Sequence, residues 1–403
     1  MPRLVHDRIT WLAYAQLGLW GFFLYGFGPV VPLLRDEQGT TAAVAGLHST
    51  GLAVGALAGG ALFAPAARRF GRKPTIWLGL AGVAAGVGGF ALLRPLPATI
   101  AVVILISTAG TLLVSGVNVV LTARHGPAAP AALAEANAAC AGMGILAPLA
   151  IGLSVNAGWG WRPAMAVVVG LIALVALAAL AFRVRGPKAA TAVAAPRVTV
   201  LVPRASRRLP RAYWIAWLLM GVTGSIEVCL SLWAADVLRS HAGMAPGAAS
   251  AAVAAIVCGM FVGRLAGGRV ALRFRPVPLL LAALGLSLAG FTVFWVATAG
   301  WLAVIGLVVL GLGNALHYPL AISLALAVAG DAADQAAGWS AYSMGVGFGI
   351  APVALGWVAD GVGPHLAFLL LPGFIATAVL LAVRLGRALP APVPVEQPAA
   401  APV

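Results

Sequence analysis

Long apolar runs of Ala, Gly, Leu and Val recur along the whole chain, and short polar segments separate them. Each run holds about 20 residues, enough for an α-helix to cross a hydrocarbon layer about 30 Å thick. Because a helix satisfies its own backbone hydrogen bonds in lipid, runs of this length are predicted to be helical. We predict twelve membrane spans, numbered in chain order, at residues 10–34, 41–66, 74–93, 98–122, 131–157, 163–183, 212–238, 246–270, 277–298, 300–328, 336–359 and 364–386.

The longest polar interruption divides the spans into two groups of six. It is rich in Arg and Pro and is predicted to be a cytoplasmic linker, while the Pro/Ala-rich C-terminus is predicted to be a disordered tail. No small-residue cleavage site follows the first apolar run, so we expect span 1 to be retained. The predicted domains are an N-terminal bundle over 1–183, the linker over 184–211, a C-terminal bundle over 212–388 and the tail over 389–403.

An internal repeat relates the two groups of spans, because residue pairs match across them at one constant offset. The offset covers six spans, an even number, so both halves have the same orientation and a parallel pseudo-two-fold axis can relate them. The matches are Gly55 with Gly259, Gly59 with Gly263, Arg69 and Phe70 with Arg273 and Phe274, Ala147 and Pro148 with Ala351 and Pro352, and Gly152 with Gly356.

Composition and charge also indicate a membrane protein. The chain is 62% hydrophobic and only 9% charged, with mean hydropathy +1.02, whereas a soluble surface needs about a quarter charged residues. Since Lys and Arg concentrate in cytoplasmic loops, we predict a multi-pass protein of the cytoplasmic (inner) membrane with both termini cytoplasmic. The net charge of +15 is then a topology signal, and no nucleic-acid partner is needed to explain it. All but four of the 25 Lys and Arg residues fall on the side of the N-terminus, the exceptions being Arg35, Arg94, Arg162 and Arg239.

Two basic loops connect corresponding spans of the two halves. The segment "RFGRKP" starts at Arg69 between spans 2 and 3, and "GGRVALRFRP" starts at Gly267 between spans 8 and 9. This pair of loops resembles the signature of the major facilitator superfamily, which has a glycine- and arginine-rich loop after its second helix and a degenerate copy after its eighth. The resemblance implies an all-α membrane protein of twelve helices in two six-helix bundles. The sequence departs from the family where an acidic residue is usual, since Arg68 and Leu272 stand there.

The resemblance implies that these loops form a cytoplasmic gate. The alternative is that their cations only fix topology and favour the helix dipole. The predicted gate residues are Arg68, Arg69, Gly71, Arg72, Lys73, Arg264, Arg269 and Arg273.

Glycines repeat at four-residue intervals on span 2, at Gly51, Gly55 and Gly59, and again on span 8 from Gly259. Small residues at that spacing let helix backbones approach closely. The pattern predicts tight packing, with easy rocking between the bundles as the alternative.

Polar or aromatic stripes mark one face of spans 1, 4, 7 and 10, the same four spans that line the central cavity in the family that the loops resemble. Polar side chains avoid lipid, so these faces are predicted to line a cavity. The alternatives are that the hydroxyls bond their own helix and that the aromatic stripe is packing. The predicted cavity residues are Gln16, Trp20, Phe23, Phe27, Thr111, Ser115, Asn118, Thr223, Ser231, Asn314 and Tyr318.

Glu227 is the strongest functional candidate. It lies 15 residues past Ala212, roughly 22 Å into span 7, where a charged carboxylate is costly unless it faces a cavity, pairs or stays protonated. We predict that it carries a coupling proton, with a structural hydrogen bond as the alternative. His317 and His48 are weaker candidates for the same role.

No Lys or Arg is expected deep inside a span, with Arg264 placed near the cytoplasmic end of span 8, so an anionic solute would find no buried cation. The chain also lacks a phosphate-binding loop and metal-ligand spacing. We therefore predict a monomeric non-enzyme without metal or cofactor, whose partners are protons, lipid and a small neutral or cationic organic solute. The predicted function is proton-coupled secondary transport, with multidrug efflux or a non-transporting sensor or scaffold as alternatives.

Overall fold

A computed structural model describes residues 6–182, 209–271, 273–329 and 333–388. In this part of the chain twelve helical stretches are long and apolar enough to span a membrane. The predicted linker and tail lie almost wholly outside the described residues, so those two predictions stay open. The spans are built from helices Arg8–Gln38, Ala42–Phe70, Arg72–Leu92, Leu96–His125, Ala129–Asn156, Arg162–Ala181, Arg211–Ser240, Pro246–Ala252 with Ala254–Ala271, Pro276–Val296, Gly300–Asn314 with His317–Ala329, Ala333–Val362, and Pro364–Ala367 with Leu370–Ala388.

All twelve predicted spans are confirmed, and most helices extend a few residues past the predicted ends. Capping groups lie outside the apolar runs, which explains the difference. Asp7 caps span 1 by accepting a hydrogen bond from the Thr10 backbone N–H at 2.9 Å, and Gly39 ends the span in the left-handed conformation, with φ 61°.

Proline explains two interruptions that the apolar pattern did not predict. Spans 10 and 12 each break into two helices, at Ala315 and at Phe368. Each break lies four residues before a proline, Pro319 or Pro372, whose ring clashes with the carbonyl at that position.

The glycine stripes lie where two helix backbones nearly touch inside one bundle. A Cβ at Gly55 or Gly59 of span 2 would collide with span 4, and one at Gly259 or Gly263 of span 8 would collide with span 10. These pairings favour the predicted tight packing over a sliding surface between the bundles, because both partners belong to the same group of six spans.

The two bundles contact each other toward one face of the molecule. The other face, where the basic loops after spans 2 and 8 lie, is called the basic face. The face at which the bundles meet, where span 1 ends and span 2 begins, is called the opposite face. Spans 2 and 11 are joined by the Ser49 hydroxyl, which donates to the Phe348 carbonyl at 2.7 Å, and by the Thr50 hydroxyl, which donates to the Gly349 carbonyl at 2.6 Å. Span 5 approaches span 8 at Gly152, beside Gly247.

Toward the basic face the same helices separate. Leu62 of span 2 is 51% exposed, and Tyr342 and Val346 of span 11 are 52% and 47% exposed. Gly345 of span 11 still lies beside Leu57 of span 2. One turn closer to the basic face, nothing lies within 4 Å of a Cβ placed at Gly60. The bundles are therefore in contact toward the opposite face and less closely packed toward the basic face, and we call the space between them the central cavity.

Candidate functional site

Five side chains from five different spans converge in the central cavity. The Tyr25 hydroxyl of span 1 lies close to the Arg264 guanidinium of span 8 and interacts with it. Glu227 of span 7 interacts electrostatically with both of them and with Tyr318 of span 10. Cys140 of span 5 also lies within the field of Arg264. We call this set the central cluster.

Glycines position the central cluster on the side of the N-terminal bundle. A Cβ at Gly144 of span 5 would occupy the space of the Tyr25 ring, so this glycine provides the recess in which the ring packs. A Cβ at Gly21 would meet the backbone carbonyl of Cys140, so spans 1 and 5 are nearly in contact just below. Close packing therefore fixes Tyr25 and Cys140 before any ligand arrives.

The two charges of the central cluster are accessible rather than sealed. Arg264 is exposed and Glu227 is half-buried. They interact through space, and among the ion pairs of the described residues none joins the two side chains directly. A carboxylate and a guanidinium thus interact here without forming a direct ion pair.

Arg264 corrects one of our expectations. We placed it among the gate residues near the end of span 8 and concluded that no cation lies deep in the protein. That conclusion was wrong, because the guanidinium reaches Tyr25 in the middle of span 1 and interacts with Glu227 in the middle of span 7. The argument against anionic solutes therefore no longer holds.

The polar stripe of span 4 divides into two parts. Thr111 packs beside Gly59 of span 2, with Thr108 one turn above it, so this part lies at a helix contact within the N-terminal bundle. Ser115 and Asn118, nearer the basic face, are half-buried. These two side chains remain the better candidates of the stripe for lining the cavity.

The aromatic stripe of span 1 is packed inside the N-terminal bundle, which agrees with the alternative that these rings serve helix packing. Trp20 lies against Gly110 of span 4, and Phe23 and Phe27 are 0% and 1% exposed. Phe27 continues through Phe90 toward span 6, with ring centroids 6.3 Å apart. Gln16, at 3% exposure, is buried in the same helix.

Each histidine candidate lies between two helices of its own bundle. His48 is fully buried, with Nε2 2.9 Å from the Thr99 hydroxyl of span 4. His317 is 1% exposed, with Nε2 3.2 Å from the Ser287 hydroxyl of span 9. Neither histidine shares the central cluster with Glu227.

The remaining cavity candidates have mixed surroundings. The Thr223 hydroxyl donates to the Met220 carbonyl of its own helix at 3.0 Å. Ser231 packs against Gly28 of span 1, where the bundles meet. The Asn314 amide lies 3.8 Å from the Met260 sulfur, between spans 8 and 10. Of the residues predicted on span 10, Tyr318 is thus the one that reaches Glu227.

The predicted gate residues of the first loop lie at the basic face. Arg68, Arg69, Arg72 and Lys73 are exposed, and Gly71 joins spans 2 and 3 with φ 88°, a conformation that favours glycine. In the second loop Arg273 is exposed, while the Arg269 side chain lies outside what the structure describes.

A charge network that sequence reasoning missed joins the bundles at the opposite face. Arg35 of span 1 forms an ion pair with Asp236 of span 7, with a second contact at 3.2 Å. Arg239 of span 7 pairs back with Asp36 of span 1 at 2.8 Å. Asp360 of span 11 accepts hydrogen bonds at 2.7 and 3.0 Å from the first two N–H groups of span 2. We call these residues the opposite-face network.

In the sequence, Arg35 and Arg239 lie on the side away from the basic loops, and the acids of the network lie near ends of the same and neighbouring spans. The presence of both acids and arginines at the same face could have indicated ion pairs there. Which charges pair depends on how the two bundles dock, and the sequence does not give that.

The fold and the site together define a class: a polytopic membrane protein of two six-helix bundles around a cavity that contains charged groups. The family model of the Major Facilitator Superfamily matches residues 14–341. The chain therefore belongs to the Major Facilitator Superfamily, whose members are secondary transporters rather than enzymes, and it is an integral multi-pass membrane protein. No curated protein sequence matches the chain significantly.

Solved structures of transporters share the fold. A point mutant of the nucleoside transporter NupG has a TM-score of 0.75 and 15% identity, covering 94% of this chain and 98% of its own. A D-xylose–proton symporter has a TM-score of 0.70 and 18% identity, covering 95% and 97%. A bacterial homologue of the human lysosomal transporter Spinster, inward-facing and unoccupied, has a TM-score of 0.67 and 16% identity, covering 94% and 94%.

Proposed function

We propose that the protein is a proton-coupled secondary transporter of a small organic solute that works by alternating access. The observation that carries this proposal is the central cluster, in which an acid and a guanidinium from different helices face a cavity between two bundles. Charged groups inside membrane spans are expensive and mark ion and substrate pathways. A sensor or scaffold has no need to keep them.

Glu227 is the proposed proton carrier, and the central cavity is the proposed solute site. Protonation removes the carboxylate charge and with it the attraction to Arg264, so the two states of Glu227 differ in the field that a solute meets. Tyr25 and Tyr318 are the proposed polar partners of the solute, and Ser115 and Asn118 extend the wall toward the basic face.

We propose that the basic face lies on the cytoplasmic side of a bacterial-type inner membrane, because cytoplasmic loops concentrate Lys and Arg. Residues 6–182 and 211–388 would then form the two moving bundles. The cavity described above would be the inward-open state, and the opposite-face network would close the outer side. Alternating access requires that network to break and the basic-face ends of the bundles to approach each other.

The test is transport by the purified protein in liposomes, with a solute first identified by thermal shift. We expect a pH gradient to drive accumulation by the wild type. Glu227→Gln keeps the shape of the side chain but fixes it neutral, so it should abolish gradient-driven accumulation and keep solute exchange. Glu135→Gln is the matched control, since Glu135 binds His6 at the basic face, 2.6 Å away, outside the cavity.

Accumulation by Glu227→Gln at the wild-type rate would contradict the proposed role of Glu227. His317 would then be the next candidate for the titrating group. Failure of the wild type to move any solute that it binds would instead support the sensor or scaffold.

A further inference from the structure

We propose that the transported solute carries one carboxylate, that this carboxylate binds the Arg264 guanidinium, and that each solute moves with one proton on Glu227, so that transport is electroneutral. This inference rests on the proposed function and names the chemical class of its substrate. It reverses the preference for neutral or cationic solutes, which depended on the absence of a deep cation.

The first step concerns the donors that Arg264 has to offer. Its planar guanidinium carries five N–H donors, and the nearby Tyr25 hydroxyl can use few of them. The side chain is exposed within a cavity between helices. A guanidinium with unused N–H donors is suited to bind a carboxylate, with which it can form two parallel hydrogen bonds.

The second step concerns the space beside Arg264. Glu227 interacts with the guanidinium electrostatically, yet the ion pairs found in the described residues do not include a direct pair between them. The acid is half-buried and faces the same cavity. A solute carboxylate can therefore reach the guanidinium without first displacing a formed ion pair.

The third step concerns net charge. The groups that interact with Glu227 are Arg264 from span 8, Tyr25 from span 1 and Tyr318 from span 10. Arg264 is the one cation among them. The empty site, with Glu227 ionised, is then neutral overall.

The loaded site is also neutral if a protonated Glu227 accompanies one solute carboxylate on Arg264. A neutral solute moving with a proton would instead leave one uncompensated positive charge inside the membrane, which is costly. Electroneutral movement of a monocarboxylate thus keeps both the empty and the loaded forms of the site neutral.

Binding is tested first, by thermal shift of the full-length protein in detergent. The probes are acetate, lactate, benzoate and 3-phenylpropionate, each beside its uncharged amide. We expect at least one carboxylate to stabilise the wild type, more strongly at acidic than at neutral pH, and its amide to have no effect. Glu227→Gln should bind the same carboxylate with little dependence on pH.

Arg264→Gln should weaken that binding at least about tenfold. Arg264→Lys keeps the charge but loses the planar fork, and it should weaken binding less; it also guards against a variant that fails to fold. Arg384→Gln, which changes an exposed arginine near the end of span 12, is the matched control and should bind like the wild type. Equal stabilisation by the amides, full binding by Arg264→Gln, or no stabilisation by any carboxylate would overturn the inference.

Transport of the bound carboxylate is then measured in liposomes that contain K⁺ and valinomycin. We expect a pH gradient to drive uptake and an imposed membrane potential to leave the initial rate unchanged. A rate that follows the potential would overturn electroneutrality. Proton-driven uptake of a neutral solute that fails in Glu227→Gln would keep the proposed function and reject the carboxylate, whereas carboxylate binding without any transport would reject the proposed function and keep the site.

Discussion

At the scale of single residues, the sequence located Glu227 but misjudged Arg264. Counting residues from a helix end gives the depth of a Cα atom, and that count placed Glu227 in the middle of its span. It does not give the direction of a long side chain or the tilt of the helix that carries it. Tyr25 was missed for a related reason, because it lies outside the stripes by which cavity residues were chosen, and only the docking of spans 1, 5 and 8 brings its hydroxyl to Arg264.

The Tyr25 hydroxyl provides a prediction at this scale. Tyr25→Phe keeps the ring that packs against Gly144 but removes the hydroxyl that interacts with Arg264. Because this hydroxyl is a proposed polar partner of the solute, and one hydrogen bond to a charged group is typically worth about 1.5–3 kcal/mol, we expect solute affinity to fall by about tenfold or more. Isothermal titration with the identified solute measures the change.

Tyr14→Phe is the control for Tyr25→Phe. It removes a hydroxyl from the same helix, where Tyr14 donates to Glu135 at 3.0 Å away from the central cluster. Equal affinity losses in the two variants would show that Tyr25 has no special part in binding.

At the scale of the helices, most of the fold was predictable. Each apolar run gave a span, and the repeat gave the arrangement of spans in two similar groups. The ends and the breaks were less predictable, because caps such as Asp7 and the prolines behind Ala315 and Phe368 act locally and leave the apolar pattern unchanged. The aromatic stripe of span 1 was ambiguous for a physical reason, since lipid, cavity and helix contacts all accept aromatic rings.

Two neighbouring glycines on span 2 test the packing. A side chain at Gly59 would collide with the backbone of span 4, whereas nothing lies within 4 Å of a Cβ at Gly60. We expect Gly59→Leu to lower the free energy of unfolding by about 1–3 kcal/mol through overpacking. Gly60→Leu should have an effect near zero. Thermal unfolding in one detergent, followed by circular dichroism, compares the two variants, and equal midpoints would contradict the packing described for span 2.

At the scale of the whole molecule, the bundles are held together at one face and apart at the other. Neither feature could be predicted from the sequence, because helix periodicity describes each span separately and does not fix how two bundles dock. The opposite-face network contains the pairs of Arg35 with Asp236 and Arg239 with Asp36, so four charges from two helices contribute to one closed state.

Breaking this network should open the closed face. Asp236 is 4% exposed and contacts both arginines, so Asp236→Asn leaves Arg35 without its buried partner and should shift the population away from the closed state. Spin labels on the ends of spans 1 and 7 would report a longer distance in electron–electron double resonance.

Arg94→Gln changes an exposed arginine at the same face and is the control, for which we expect the wild-type distance. Restoration of the short distance by exchanging the two charges, Arg35→Asp with Asp236→Arg, would support the pair directly. An unchanged distance distribution in Asp236→Asn would contradict a role of the network in closure.

If Glu227 moves a proton together with the solute, protons enter the liposome with the solute and can be counted. Liposomes with the purified protein and a trapped pH dye are given the identified solute without any gradient. We expect the interior pH to change as solute enters through the wild type, and Glu135→Gln to behave in the same way. Glu227→Gln should exchange labelled solute with no pH change. Proton movement by Glu227→Gln at the wild-type rate would show that Glu227 does not carry the coupled proton.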